Sequence, residues 1–542
     1  MRHTIIITCL LLAINGLFAE SSWAQQITNS NFIGNDSTNV IEILPGVQNM
    51  EFRKLDDSTE LQILSGNVRL KQGRTLFYTD SCVVNSRLNI FEAFGKVHIN
   101  DADTSHIYSD YLKYKIDKRY AYFNKRVRMT DGKGTLTTEN LEYDVSTKIG
   151  IYKNGGKVVN QKTILTSKEG YYYADIKDIY FKKDVVLNDP GFHLKTDSLL
   201  YNTQTETARF ISETIIRDSS NRTINTKDGF YNLKTKKAEF GRRPVIKDGG
   251  ITISGNNIAM DDVTGISQVI GNGIIRDSVN NLTIIANEIF RNNKTESFLA
   301  TKKPLMIIKQ DNDSLFITAD TLFSARLSDL KKSPKDSTRA FSKNKDSISK
   351  NMNDSNNRYF EAFRNVRVFS DSLQSISDSL FYSFKDSTFR LYKNPVVWAN
   401  KNQITGDTIY LLTKNKKADK LEVIKNALMI SQIDTDQFNQ VSSYRIDAYF
   451  NTGNIDSLRA KQSVESIYYV IDEDNTYIGV NESKAEMMDI YFLKRELNRI
   501  VYRTEASGKI WPIREKSSSE LRLKNFIWLE IKRPKSRFEL FE

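Results

Sequence analysis

A short frame of alternating residues returns along this chain about every 30 residues. It is written "SDYLKY" at 109–114, "TDSLLY" at 196–201 and "SDSLFY" at 377–382. A repeat of this length indicates units that cannot bury their apolar faces alone, so that each must stack on its neighbours. The first apolar residue of each unit follows the same period, with spacings of 27 to 32 and one gap of 61, which is two periods, one of them occupied by a polar insert. These anchors are Val68, Val97, Val127, Val158, Val185, Ile215, Val245, Ile274, Leu305, Val366, Val396 and Leu428.

Period-two alternation within the frame predicts β-strands. Asp110, Leu112 and Tyr114 fall on one face of such a strand, while Tyr111 and Lys113 fall on the other. We expect Leu and Tyr to face inward, and the leading Asp to stand in a turn at the start of the strand, where a carboxylate can bond local backbone amides. The predicted fold class is all-β, an elongated solenoid of stacked antiparallel strands with two strands per repeat of about 30 residues.

One segment near the end of the repeats allows two secondary structures. Residues 482–503 can be drawn as a helix or as a strand hairpin. Asp489, Tyr491 and Leu493 alternate with the residues between them, and this period favours the hairpin.

A polar stretch interrupts the array once. Residues 331–358 contain eight Lys or Arg, three Asp and few aromatic residues, a composition typical of a disordered segment or a long exposed loop. The whole chain of 542 residues has only 8 prolines, and no other break is evident. The predicted organisation is a signal peptide at 1–24, a first repeat block at 40–330, the polar insert at 331–358, a second block at 359–515 and a basic C-terminal tail at 516–542.

The amino terminus has the pattern of a secretory signal. Arg2 is followed by an apolar run over residues 5–12 and by small and polar residues ending at Ala24. This run is shorter than the roughly 20 residues that span a bilayer, although a membrane anchor stays open as the alternative. Cleavage leaves a single cysteine, which excludes an intramolecular disulfide. That residue, Cys82, occupies the slot that Leu112 fills in another repeat, and a buried thiol is expected.

Candidates for catalysis or metal binding are few. The sequence has no Gly-rich phosphate loop, and its many Asp-Ser pairs are typical of turns. Asp101, Asp103 and His106 form the one group that could hold a metal ion. The stretch "DEDN" at 472–475 lacks the glycine and the distal Glu of a calcium loop and is interpreted as a turn. We expect no enzymatic activity, no catalytic residue, no cofactor and no metal site.

The charge of the chain raises the question of an anionic partner. Its formal net charge is +12, and its pI is near 9.2. Secretion and the dispersal of the basic residues through the strands argue against nucleic acid. Phosphates of anionic lipids or glycolipids fit better as counter-charges.

Three stretches, together with the number and order of the repeats, carry a resemblance to a known family. They are "LSGNVRLKQG" at 64–73, "TDSLLY" at 196–201 and "LKNFIWLEIKRP" at 523–534. The chain resembles the OstA-like periplasmic proteins, the lipopolysaccharide-transport group that includes LptA, LptC and the soluble N-terminal part of LptD. The resemblance covers residues 40–535 and implies that both repeat blocks are β-jellyrolls. In this fold, stacked V-shaped antiparallel strands enclose an apolar groove that carries acyl chains.

The function that the resemblance implies is lipid carriage. We expect a protein of the periplasm, exported across the inner membrane and either soluble or peripheral to a membrane. It would carry or bridge lipopolysaccharide, or a related acylated glycolipid, toward the outer membrane. Other lipopolysaccharide-transport proteins are the expected partners, through edge-strand pairing. The candidate groove residues are Val68, Leu70, Val97, Ile99, Leu112, Tyr114, Val127, Met129, Leu141, Tyr143, Leu199, Tyr201, Leu380 and Tyr382.

Two other functions stay open. The same inward residues could form a sealed, dry core, as in a structural or adhesive secreted β-solenoid without lipid cargo. The third hypothesis is a polysaccharide-cleaving β-helix enzyme, which would need carboxylates clustered with Arg or Lys on one strand face.

Overall fold

The computed structural model describes residues 40–541, apart from 57–58, 310–313, 333–356, 415–416, 452–453, 473, 475, 495 and 514. The predicted signal peptide and nearly all of the predicted polar insert lie outside the described residues. The described residues form strands, with short 3-10 helices as their only helical segments. None of those helices has the length and apolar character that crossing a bilayer requires. The all-β prediction is confirmed.

Forty strands form one continuous sheet within the described residues. The first twenty are β1 (Glu42–Ile43), β2 (Asn49–Asp56), β3 (Thr59–Gln72), β4 (Thr75–Asn85), β5 (Ile90–Asp101), β6 (Ser105–Lys115), β7 (Tyr120–Thr130), β8 (Gly134–Asp144), β9 (Ile149–Tyr152), β10 (Gly156–Asn160), β11 (Thr163–Ser167), β12 (Glu169–Tyr173), β13 (Asp178–Asp189), β14 (Phe192–Asn202), β15 (Thr207–Phe210), β16 (Thr214–Asp218), β17 (Thr223–Thr226), β18 (Asp228–Asn232), β19 (Lys237–Gly241) and β20 (Val245–Asp248).

The second twenty are β21 (Ile251–Ser254), β22 (Asn257–Asp261), β23 (Ile266–Asp277), β24 (Leu282–Asn292), β25 (Ser297–Thr301), β26 (Leu305–Lys309), β27 (Ser314–Thr318), β28 (Thr321–Arg326), β29 (Arg358–Phe369), β30 (Leu373–Ser383), β31 (Thr388–Tyr392), β32 (Val396–Ala399), β33 (Asn402–Thr405), β34 (Thr408–Lys414), β35 (Lys417–Gln432), β36 (Phe438–Asn451), β37 (Asn454–Ile471), β38 (Tyr477–Leu493), β39 (Glu496–Arg503) and β40 (Ser507–Trp511). The 3-10 helices are Leu327–Lys332, Glu530–Lys532 and Glu539–Phe541.

The long strands are bent near the middle. In β5 the pairing register with β6 shifts between Phe94 and Val97. The two residues between them, Gly95 and Lys96, have left-handed φ values of 77° and 41°. Such an insertion is a β-bulge that turns the strand through a corner. Pairs of left-handed residues recur at other bends, for example at 125–126.

The bend divides each long strand into two arms, and successive strands pair arm to arm. In β5 we call residues 90–94 arm A and residues 97–101 arm B, and both arms pair with β6. Where the bend interrupts the strand completely, the arms are separate short strands. Thus β8 pairs with β9 through arm A and with β10 through arm B. The result is the expected stack of V-shaped antiparallel strands, two to each repeat.

The aspartate that leads the repeated frame lies at the bend and not in a turn at the start of a strand. Asp110 is in the middle of β6. Its carboxylate accepts two hydrogen bonds of 2.8 Å from Arg126, which is a left-handed residue at the bend of β7. The expectation of a turn is wrong because the strand continues through the bend, so that the frame begins halfway along it.

Alternation along the arms places one face of every V in a shared core. In β7, Phe123, Val127 and Met129 are buried. The residues at the bend, and those that alternate with the buried residues, are exposed or half-buried. Each buried side chain of this kind contributes about 1.5 to 3 kcal/mol relative to an exposed one. One hydrophobic cluster extends from Leu64 in β3 to Ile490 in β38. The stacked repeats therefore share a single core.

The sheet continues across the polar insert. β28, which precedes the insert, pairs with β29, which follows it, from Thr321 opposite Phe363 to Arg326 opposite Arg358. The N–H of Leu327 also donates to the carbonyl of Asn357 at 2.9 Å. The predicted blocks 40–330 and 359–515 are thus parts of one sheet, and the boundary between them stays a prediction.

The segment 482–503 forms strands, as its alternation predicts. It lies in β38 and β39, which pair antiparallel with Asp489 opposite Val501. Asp489 is 2% exposed, and Arg459 and Arg503 lie 2.6 and 2.9 Å from its carboxylate. The hairpin prediction is confirmed.

Residues 516–541, which we call the strap, lie across arm B from β38 to β29. Side-chain amides hold the strap as a neighbouring strand would. Gln403 donates to the carbonyl of Ile527 and accepts from the N–H of Leu529, both at 2.7 Å. Gln440 makes the same pair of bonds to the carbonyl of Leu521 and the N–H of Leu523, both at 2.9 Å.

The strap covers the outer face of arm B in the second half of the sheet. Met429 of β35 belongs to the main core, whereas its neighbours Leu428 and Ile430 pack with Phe526 and Trp528 of the strap. Both faces of arm B are therefore buried here. This explains the four consecutive buried residues of β32, because a sheet covered on both sides has continuous apolar strands.

Candidate functional site

A row of tyrosines closes the open side of the V over the first part of the sheet. Each tyrosine stands near the tip of arm A, and its hydroxyl bonds a polar side chain at the tip of arm B, 41 or 42 positions earlier. The donor–acceptor distances are 2.5 to 3.0 Å. We call these pairs the tyrosine row: Tyr114 with Gln72, Tyr143 with Asp101, Tyr172 with Asp131 and Tyr201 with Asn160.

The carboxylate of Asp131 in this row is buried and ionised. The side chain of Asp131 has 0% exposure. Burial alone would raise its pKa, but hydrogen bonds from Tyr172 and from two backbone N–H groups, with Lys177 nearby, outweigh burial and hold the pKa below its ordinary value. Burial and the bond to Asp131 raise the pKa of the Tyr172 phenol. At neutral pH the donor thus keeps its proton and the acceptor keeps its charge.

The row ends before Tyr231, the next tyrosine of the repeat. The hydroxyl of Tyr231 donates to Asp262 at 3.1 Å, a residue that follows the arm A strand β22 and not an arm B tip. The next two positions of the row hold Met260 and Arg291, and neither has a phenol to bond across the V. Arm tips are joined by tyrosine as far as Tyr201, and the interior opens beyond it.

A cavity of about 960 Å³ opens where the tyrosine row stops. Pockets for small molecules commonly have about 300 to 1,000 Å³, so its size suits a ligand. Side chains from both arms form its walls, and about half of them are apolar or aromatic. The apolar and aromatic lining residues are Phe192, Ile216, Ile224, Tyr231, Ile251, Ile275, Val279, Leu282, Ile284, Phe298, Met306, Ile308, Phe360 and Phe384.

Two arginines in the cavity wall have carboxylate partners at different distances. Arg222 lies 2.9 Å from both Asp218 and Asp262. Arg291 lies 3.6 Å from Asp248, a longer contact. Burial lowers the pKa of Arg291, and Asp248 offsets this only in part. The charge of Arg291 is therefore less well compensated than that of Arg222.

A third arginine, Arg358, has no carboxylate within salt-bridge distance among the described residues. Its Nη2 donates to the backbone carbonyl of Glu296 at 3.0 Å. Burial lowers the pKa of Arg358, as expected for a cation that has left water without a full counter-charge. Arg358 and Arg291 thus present donors to the cavity that an anionic group could use.

The cavity also contains a polar atom without a partner. The side-chain oxygen Oδ1 of Asn293 is buried and accepts no hydrogen bond from any described residue. Buried polar atoms are nearly always hydrogen-bonded in folded proteins. A hydroxyl or amine of a ligand would satisfy this acceptor.

The candidate metal residues and the cysteine make contacts with other residues of the fold. Asp101 accepts from Tyr143, while His106 contacts His98 at 3.1 Å. Within the described part of the chain, no three His, Cys, Asp or Glu side chains converge on a possible metal position. Cys82 is buried as predicted, and burial raises the pKa of its thiol to about 12, so that it is a protonated core residue at neutral pH.

Residues 43–197 match the family model described as OstA-like protein. This region of the chain is OstA-like. The match confirms the resemblance over these residues, and its extension to residue 535 stays a prediction. A comparison with curated proteins returns no match for the chain.

The OstA-like region contains almost the whole tyrosine row, whereas most of the cavity lies beyond its last residue. Of the cavity wall, only Gly191 and Phe192 fall within the matched residues. The closed and the open parts of the V therefore follow one another along the chain.

The predicted groove residues lie inside the closed core. Thirteen of the fourteen are at most 2% exposed, and Tyr382 is half-buried. The structure brings them together in one hydrophobic cluster, with Tyr382 packed against it. None of them lines the cavity. Their part in lipid binding stays a proposal.

Sequence reasoning missed the cavity residues because the inward register changes there. The repeat anchor Ile215 is 53% exposed, while the adjacent Ile216 is fully buried. Likewise Ile275 lines the cavity in place of the anchor Ile274. A slip of one residue exchanges the two faces of a strand. The available signal was the frame itself, since Arg291 stands in the slot that tyrosine fills in the OstA-like region.

Proposed function

We propose that this chain is a periplasmic lipid-binding protein that carries or bridges lipopolysaccharide, or a related acylated glycolipid, toward the outer membrane. The observation that carries the proposal is the cavity of about 960 Å³ between the two arms, with the apolar and aromatic side chains that form about half of its wall. An acyl chain gains about 0.8 kcal/mol for each CH₂ that it buries. The wall supplies that burial without a specific polar contact.

The polar side chains of the cavity fit the headgroup of such a lipid. Arg291 and Arg358 offer guanidinium donors to a phosphate, for which arginine is well shaped. The free acceptor of Asn293 suits a sugar hydroxyl. Carboxylates of Asp248 and Asp277 also line the cavity, and they add acceptors for hydroxyl or amine groups.

In this proposal, twelve of the fourteen predicted groove residues lie in the part of the V that the tyrosine row closes, and each is at most 1% exposed. The other two, Leu380 and Tyr382, lie on β30, beyond the cavity. Cargo that moved along the OstA-like region would have to break the bonds of the row one after another. We therefore place resting cargo in the cavity and passage, where it occurs, behind the tyrosines.

Edge strands supply the proposed contact with other transport proteins. β2 pairs with β3 alone among the described strands, and all eight of its residues are exposed. Met50, Phe52 and Leu55 of this strand are 54%, 56% and 61% exposed. A free edge with exposed apolar side chains favours addition of a strand from a partner.

Co-purified lipid tests the proposed function. The full chain, expressed in a lipopolysaccharide-producing host and extracted mildly, should release lipopolysaccharide or another acylated glycolipid to mass spectrometry. Ile275→Asp places a carboxylate in the cavity wall and should remove most of this lipid. Ile270→Asp is the matched control, since Ile270 lies on the same strand β23 and is 46% exposed. A folded wild type without lipid, or equal lipid in both variants, would refute the proposal.

A structural solenoid without cargo is the second candidate, and one observation favours it. The four bonds of the tyrosine row close the V over the OstA-like region, where the predicted groove residues are almost fully buried. If lipid is absent from the folded protein, the closed core alone accounts for the repeats.

A further inference from the structure

The outer face of the strap exposes large apolar side chains. Ile527, Ile531, Phe538 and Phe541 are 60%, 94%, 74% and 43% exposed. Other strap residues, such as Leu521 at 2% and Leu540 at 3%, are buried against the sheet. The strap is thus two-sided, with an apolar underside seated on arm B and a second apolar set facing away from the protein.

Cations accompany the exposed apolar residues. Lys524, Lys532, Lys535 and Arg537 are all exposed. None of the four has a carboxylate within salt-bridge distance among the described residues, whereas their neighbour Arg533 lies 3.5 Å from Glu530. The outer face therefore carries four positive charges without local compensation.

The sheet holds this face in place. Besides the amide pairs of Gln403 and Gln440, Arg533 donates to Gln374 at 2.7 and 2.9 Å, and Arg367 donates to the carbonyl of Glu539 at 2.8 Å. The anchoring side chains of the sheet lie on β36, β33, β30 and β29, in that order along the strap. In the sheet, β35 lies between β36 and β33, and β32 lies between β33 and β30. Five spacings of about 4.8 Å make the strap about 24 Å long from β36 to β29.

We propose that the outer face of the strap binds an anionic membrane surface. Apolar side chains that alternate with lysine and arginine enter the boundary between headgroups and acyl chains, while the cations pair with lipid phosphates. Among the described residues, the strap exposes four lysine or arginine side chains and one carboxylate, that of Glu520, and this excess of positive charge gives the charge complementarity. Because the strap is already ordered on the sheet, no folding has to accompany binding. The proposal does not rest on the cavity or on its cargo.

Vesicle sedimentation with the full chain tests this assignment. The protein should sediment with vesicles of equal parts phosphatidylglycerol and phosphatidylcholine and stay in solution with phosphatidylcholine alone. Binding should weaken when salt is raised from about 0.1 M to about 1 M, because the Debye length falls from about 10 Å to about 3 Å. Equal binding to both vesicle types would overturn the proposal, as would no binding to either.

Two double variants locate the surface. Ile531→Asp with Phe538→Asp removes apolar contacts, and Lys532→Glu with Lys535→Glu reverses two charges. Each should weaken binding to anionic vesicles by roughly tenfold or more. The matched control is Leu88→Asp with Lys118→Glu, because Leu88 is 61% exposed and Lys118 is exposed far from the strap. Since all of these side chains are at the surface, the melting temperature should not change.

Three results would overturn the assignment. Wild-type binding by both strap variants would place the membrane contact elsewhere. An equal loss of vesicle binding in the control variant would show that binding depends on the net charge of the protein and not on the strap. Self-association of the wild type that the apolar variant abolishes, without vesicle binding, would assign the face to a second copy of the chain. Ile275→Asp should bind vesicles as the wild type does, so that failure of the cavity proposal is seen separately.

Discussion

The hydroxyl of Tyr143 donates a hydrogen bond of 2.7 Å to the carboxylate of Asp101, 42 positions earlier in the chain. The two side chains stand at the tips of opposite arms, so that this bond closes the V. Three further pairs of the tyrosine row repeat the arrangement. Beyond them, Tyr231 donates to Asp262 and not to an arm B tip, the next two positions hold Met260 and Arg291, and the V opens into the cavity. The access of a ligand to the core therefore depends on whether a tyrosine bond crosses the V.

Removing one hydroxyl of the row should destabilise the protein. Tyr143→Phe leaves Asp101, which is 3% exposed, with Thr75 as its remaining side-chain donor. A buried acceptor that loses a partner costs about 1 to 3 kcal/mol in the free energy of unfolding. Urea denaturation measures the loss. Tyr173→Phe is the control, because Tyr173 alternates with the inward Tyr172 and is half-buried, and a loss as large as that of Tyr143→Phe would contradict the role of the row.

The buried carboxylate of Asp131 predicts a pH dependence of stability. Its folded pKa lies below the ordinary value of 3.8. Its ionised form therefore contributes stability that is fully present above about pH 4 and is lost as the pH falls through the folded pKa. Asp131→Asn removes this titration. The free energy of unfolding should fall less steeply below about pH 4 in Asp131→Asn than in the wild type. The exposed residue Asp117 gives the control Asp117→Asn, and identical slopes in all three proteins would contradict the prediction.

One glycine should tolerate no side chain. Gly229 has φ of 127°, and a Cβ there would lie 2.0 Å from the carbonyl oxygen of Glu239 on the paired strand β19. The position of the Cβ is fixed by the backbone of residue 229, and the oxygen belongs to the backbone of Glu239, so that neither atom can move without moving a strand. Gly229→Ala should therefore cost about 3 kcal/mol or more. Gly73→Ala is the matched control: φ is 56° and nothing lies within 4 Å of the added Cβ, so that only about 1 to 2 kcal/mol of left-handed strain is expected. Thermal denaturation compares the two, and equal losses would contradict the clash.

The strap should loosen when its amide anchor is cut. Gln403 is fully buried and makes both of its hydrogen bonds to the strap backbone. Gln403→Ala should cost about 1 to 3 kcal/mol, which corresponds to at least roughly fivefold faster amide hydrogen exchange at Leu529. The exposed side chain of Gln204 provides the control Gln204→Ala. Unchanged exchange at Leu529 would show that the strap is held by other contacts.

The sequence predicted correctly those features that depend on residues close together in the chain. Period-two alternation placed Leu112 and Tyr114 inward, and both are fully buried. The same rule identified the hairpin of β38 and β39. Alternation works there because a strand with one buried face repeats every two residues.

Features made by distant contacts were not predictable in the same way. The bend was missed because Asp110 finds its partner, Arg126, on the next strand. The strap appeared only as a basic tail, since its anchors Gln403 and Gln374 lie more than a hundred residues away. The cavity lies where the repeat has Arg291 in place of a tyrosine. That replacement can be interpreted only when the tyrosines at equivalent positions are known to bond across the V.

The most direct test of the central claim is photo-crosslinking from the cavity wall in cells. A benzophenone amino acid would replace Ile216, Ile284 or Met306, which line the cavity, or Ile215, the outward neighbour of Ile216. Lipid bound in the cavity should give adducts with lipopolysaccharide or another acylated glycolipid at the three lining positions and none at position 215. Equal labelling at positions 215 and 216, or no labelling at the lining positions of a folded protein, would contradict lipid binding between the arms.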